Sequence, residues 1–68
     1  MDKIELRVAM KRKGLNYTKL AEILGISYGT LWNKINQKTE FTLDEIQKLS
    51  EILDLSTEQR DQIFFKEV

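Results

Sequence analysis

Between Tyr28 and Lys38 the chain reads YGTLWNKINQK, and its polar side chains are of the kind that recognise other molecules by hydrogen bonding. A helix over 28–36 that turns Leu31 and Ile35 inward leaves Gly29, Thr30, Asn33 and Asn36 on its outer side, with Trp32 and Lys34 on the flanks. A helix face built for solubility carries Glu and Lys instead. An asparagine amide donates and accepts at once and can pair with an adenine edge through two bonds. Threonine offers a hydroxyl or a methyl to thymine, and Gly29 lets the backbone come close. Lys38, just past the helix, places a point charge suited to phosphate. Tyr28 has two readings, as the edge of a core or as a contact to base or phosphate. Trp32 is expected to pack against its own fold while keeping an edge outward.

Such a helix needs a support that holds it at a steep angle. The preceding stretch, NYTKLAEILGIS, supplies one. Leu20, Ala21 and Leu24 recur at helical spacing over 17–24, and Asn16 and Ser27 are residues that cap the first free amides of a helix. Gly25 reaches the left-handed conformation that a helix stop followed by a sharp turn requires. Ala21 is small where two crossing axes approach. A small residue, a glycine four positions later and an apolar residue six further on make the helix-turn-helix spacing, whose second helix enters the DNA major groove.

The LAEILGIS core followed by this helix resembles the Cro/CI-like, or XRE-type, phage repressors over about residues 4 to 55. The later KIN-x-K, an acidic amphipathic helix and a terminal FF are similar to a subgroup of very small phage-encoded regulators. The resemblance implies an all-α, compact five-helix bundle of the lambda-repressor-like type, with residues 1–68 as one DNA-binding domain. The DNA-facing set it implies is Asn16, Tyr17, Lys19, Tyr28, Gly29, Thr30, Trp32, Asn33, Lys34, Asn36 and Lys38. The chain also departs from the family. Lys34 stands where an apolar residue is frequent and Ile35 where an acid is frequent, so the usual ion pair to the first helix, with Arg7 as its base, cannot form. Gln37 replaces a common glycine, which predicts a looser or strained exit from the third helix.

The remaining elements follow from periodicity. A first helix over 2–13 has Ile4, Leu6, Ala9 and Met10 as its apolar side, Asp2 and Glu5 near its positive end, and Lys11, Arg12 and Lys13 near its negative end. The basic triplet serves the helix end or a phosphate. Residues 37–42 form a loop anchored by Phe41. Thr42 with Glu45 reads as a capping box for a helix over 43–53, whose inward residues are Leu43, Ile46, Leu49, Ile52 and Leu53 and whose outer face is Asp44, Glu45 and Glu51. Ser56 with Gln59 repeats the pattern for a helix over 57–66. Ile63 is expected in the core. Phe64 and Phe65 either cover that core or supply a partner contact, a second copy of the chain or another protein.

Composition narrows the classes of function. Sixty-eight residues sit near the lower limit for a self-sufficient core, and dimerisation would add stability. Without cysteine or histidine there is no disulfide, thiol nucleophile, imidazole base or zinc module. No apolar run of spanning length and no secretory signal occurs, so a cytoplasmic location is expected. The net charge of zero hides a division: residues 1–38 carry eight bases against three acids, and residues 39–68 three bases against eight acids. That asymmetry favours a nucleic-acid face on one half. An enzyme is not expected, for lack of a pocket or a phosphate loop, and neither cofactor, small molecule nor membrane is expected as a partner. The leading expectation is a sequence-specific regulator, a Cro-like phage or prophage repressor that covers double-stranded operator DNA as a dimer. The alternative is a protein-binding modulator that engages a larger phage repressor through its acidic, aromatic C-terminal half; an antitoxin is a third.

Overall fold

Each helix begins at a side chain that takes over one of the amides left free at its first turn. In the computed structural model, which describes residues 1–66, these are Asp2 for α1 (Lys3–Arg12), Asn16 for α2 (Tyr17–Leu24), Ser27 for α3 (Tyr28–Ile35), Thr42 for α4 (Leu43–Ile52) and Ser56 for α5 (Thr57–Phe64). Both expected capping boxes are formed, with the Glu45 and Gln59 side chains accepting from the Thr42 and Ser56 backbone amides, each at 2.8 Å. The helix limits are shorter than periodicity predicts. Asp2, Asn36 and Leu53 cap their helices rather than extend them, and α5 ends at Phe64 instead of residue 66.

Four helices leave by one backbone pattern. A residue with positive φ follows the helix, its N–H and that of the next residue folding back onto carbonyls of the last turn: Gly14 and Leu15 after α1, Gly25 and Ile26 after α2, Gln37 and Lys38 after α3, Asp54 and Leu55 after α4. Glycine is at home there. Gln37, at φ 61°, is not, and the strained exit expected at this position is present.

One cluster forms the core, drawn from every helix: Leu6, Ala9 and Met10; Leu20 and Ala21; Leu31 and Ile35; Leu49; and Ile63, joined by the cap residue Leu53. Leu6, Leu20, Leu31, Ile35 and Leu49 are fully buried, each contributing about 1.5–3 kcal/mol of transfer free energy. Phe41 lies against this cluster as expected. Two residues assigned inward by spacing are exposed. Ile4 lies about 200° around the helix from Leu6, since each residue turns ~100°, and Leu43 opens α4, where its side chain leans off the end of the bundle. The Asp2 N–H donates to the Ile63 carbonyl at 2.8 Å and Gln62 Nε2 to the Asp2 carboxylate at 3.3 Å, fastening the start of α1 to α5. No helix among the described residues is long and apolar enough to cross a membrane.

Candidate nucleic-acid interface

Ala21, almost fully buried, lets α2 and α3 approach, and its carbonyl accepts from the Ile26 N–H at 3.0 Å across the turn. Gly25 holds that turn at φ 72°. With Leu31 and Ile35 buried, α3 turns Gly29, Thr30 and Asn33 to solvent. A Cβ built at Gly29 would meet nothing within 4 Å, so the space in front of it is open. The Thr30 hydroxyl accepts from Ser27 Oγ at 2.8 Å, which fixes its direction while leaving its own hydrogen free. The Asn33 side chain has no hydrogen-bond partner among the described residues, and its amide stands on the surface with both functions available.

The flanks behave differently from one another. Tyr28 is half exposed and its ring lies 6.4 Å from that of Tyr17, which packs on the core. Trp32 keeps 40% of its surface exposed, with the Lys38 ammonium 5.3 Å from its ring centroid. Asn16 is held as the α2 cap, accepting from the Lys19 N–H at 2.8 Å, and the Lys19 side chain is exposed, 3.7 Å from Glu22.

Lys34 leaves the DNA-facing set. Its ammonium turns inward to α4, 2.9 Å from Glu45 Oε1 and 3.1 Å from the Glu40 carbonyl, and its side chain is only 12% exposed. Glu45 accordingly faces the fold, not the acidic outer surface assigned to it. Partial burial pushes its carboxyl pKa up, but the Thr42 backbone N–H and the Lys34 ammonium outweigh this and hold it below the ordinary value. Asn36 is also occupied: its Nδ2 donates to the Trp32 carbonyl at 2.9 Å, and its Oδ1 accepts from Lys3 Nζ at 2.9 Å. This Lys3 bond links α1 to α3 where the family's ion pair is missing. Arg7 has no ion pair among the described residues.

Lys3 and Arg7 were not expected at the site, yet with Lys11 of the basic triplet they line a groove of about 520 Å³ together with Asn16, Tyr17, Tyr28, Trp32 and Asn36. The signal was available, because positions 3, 7 and 11 share one face of a helix. The terminal aromatics divide. Phe64 packs on the core, edge-on to Phe41 at 5.7 Å, whereas Phe65 is 53% exposed beside Arg60. Among the described residues no cluster of acids is placed to hold a metal ion.

Two short helices joined through a glycine turn, the second presenting open hydrogen-bonding groups beside a basic groove, define a helix-turn-helix DNA-binding domain. The chain belongs to the Cro/C1-type HTH DNA-binding family, which it matches over residues 5–59. Membership makes it a DNA-binding regulator. Searches of curated proteins and of solved structures return no match.

Proposed function

We propose that the protein is a sequence-specific repressor of the Cro type that inserts α3 into the major groove of operator DNA and blocks transcription by covering the site. The observation that carries this is the exposed, unpartnered amide of Asn33 at the centre of α3's outer side, between the open backbone of Gly29 and Thr30 and the end of the helix. In this reading Gly29, Thr30 and Asn33 meet base edges. Tyr28, Lys19, Lys38 and the amino end of α2 at Asn16 and Tyr17 meet the backbone, while Lys34 braces the helix from behind and Asn36 braces it from within the groove.

Titration onto duplexes from beside its own gene, at two salt concentrations, tests it. Asn33→Ala should lose about 1–3 kcal/mol on the preferred site and little on random DNA. Lys38→Ala should weaken both by a similar factor and reduce the salt dependence by about one counterion. A modulator that binds protein alone predicts no effect of either change on DNA.

The dimeric form rests on Phe65, a half-exposed phenylalanine that lines the same surface hollow as exposed Leu43. Phe65→Ser should leave helicity intact and lower the mass measured in solution. An unchanged mass would place the contact between copies elsewhere.

A further inference from the structure

Building on the assignment of α3 to DNA, we propose that Trp32 is a positioning residue: its indole face holds the Lys38 ammonium at the end of the reading helix, ready for a DNA phosphate. The Lys38 Nζ lies 5.3 Å from the Trp32 ring centroid, within cation–π range, and indole is the strongest of the aromatic acceptors. The backbone sets this up. Gln37, in the left-handed conformation, reverses the chain so that the Lys38 N–H donates to the Asn33 carbonyl at 2.9 Å, which lays the lysine stem back toward residue 32. The Trp32 carbonyl accepts from both the backbone N–H and Nδ2 of Asn36, each at 2.9 Å, so the last turn carrying the indole is itself fixed.

The choice of an aromatic holder has a chemical meaning. A carboxylate would hold a lysine more strongly but cancel its charge, as Glu45 does for Lys34 at 2.9 Å. Indole is neutral. It takes one side of the ammonium, and the remaining N–H groups with the full positive charge stay available on the other. Among the described residues Lys38 has no ion pair. A free lysine stem loses much rotamer freedom when a phosphate captures it, and a stem already laid on a ring loses less.

A double-variant cycle on random-sequence duplex, read at two salt concentrations, tests the assignment together with proton NMR of the free protein. Ring current should shift the Lys38 side-chain methylenes upfield in the wild type and not in Trp32→Leu. Trp32→Leu should weaken DNA binding about two- to fivefold, the scale of an exposed cation–π contact, with the salt slope unchanged because the charge remains. Lys38→Met should reduce the slope by about one counterion, and adding Trp32→Leu to it should cause no further loss. Trp32→Phe should retain part of the effect. Unshifted lysine methylenes would overturn the contact whatever happens with DNA, and losses that multiply in the double variant would make Trp32 an independent DNA contact. A wild type that shows the shift but binds no duplex would instead remove the assignment of α3 to DNA, and the phosphate role with it.

Discussion

At Gly25 and at Gln37 the chain leaves a helix by the same pair of backbone hydrogen bonds and the same positive φ, yet the two turns around α3 are secured by different means. The first joins α2 to α3 through apolar packing, with Ala21 buried beneath it and a residue type that suits the conformation. The second departs toward α4 through a non-glycine residue in the left-handed backbone conformation, and polar links surround it: Lys34 to Glu45, Lys3 to Asn36, Asn36 to the Trp32 carbonyl, and Lys38 to the indole. Apolar packing depends on neither ionisation nor Debye screening; charge depends on both. The entry to α3 is therefore a rigid joint, and its exit is an electrostatically held one whose tightness depends on solution conditions.

Overfilling the first joint should produce the largest effect. Ala21→Leu should cost roughly 1–3 kcal/mol in a denaturant titration, because the added methylenes enter the closest approach of α2 and α3. A variant as stable as the wild type would mean that the joint is not close-packed.

The exit should respond to acid. Glu45 has a lowered folded-state pKa, so its contribution is complete above the unfolded carboxyl value of about 4.5 and disappears as pH falls through the folded value. Glu45→Gln should therefore lose about 1.5 kcal/mol at neutral pH, the scale of charge-assisted hydrogen bonds, and the gap from wild type should narrow as pH falls below 4.5 and through the folded value. A gap that persists in strong acid would assign the loss to packing.

The finest contrast exchanges the two turn residues. Gly25→Ala should cost about 1 kcal/mol through backbone strain alone, since a Cβ there meets nothing within 4 Å. Gln37→Gly should do the opposite and stabilise by about 0.5 kcal/mol, relief of strain being partly offset by the freer unfolded chain. Equal signs for the two variants in thermal melts would show that the turns are not equivalent in backbone terms.

Local chemistry was legible from the chain alone and spatial arrangement was less so. Asn16, Ser27, Thr42 and Ser56 announced four helix starts because a cap and its amide lie three residues apart. Gly25 and Ala21 disclosed the turn, and the strain at Gln37 followed from its side chain. Lys34 was misplaced because its direction depends on where α4 sits, and the Glu45 carboxylate that attracts it is eleven residues away. Asn36 looked like a reader because nothing in its spacing reveals that Lys3, thirty-three positions earlier, would bind its oxygen. The division between Phe64 and Phe65 likewise depends on Phe41, which only the folded chain brings within reach.

The capped helices, of eight or ten residues each, carry a consequence for how the molecule opens. An isolated helix of fewer than ~12–15 residues is marginal in water, so none of the five has an independent existence. Detaching one exposes the apolar side of the others, and each survives only as long as its neighbours do. Amide hydrogen exchange should then show no ladder of progressively deeper openings: the slowest amides of all five helices should exchange together, through a single all-or-none event.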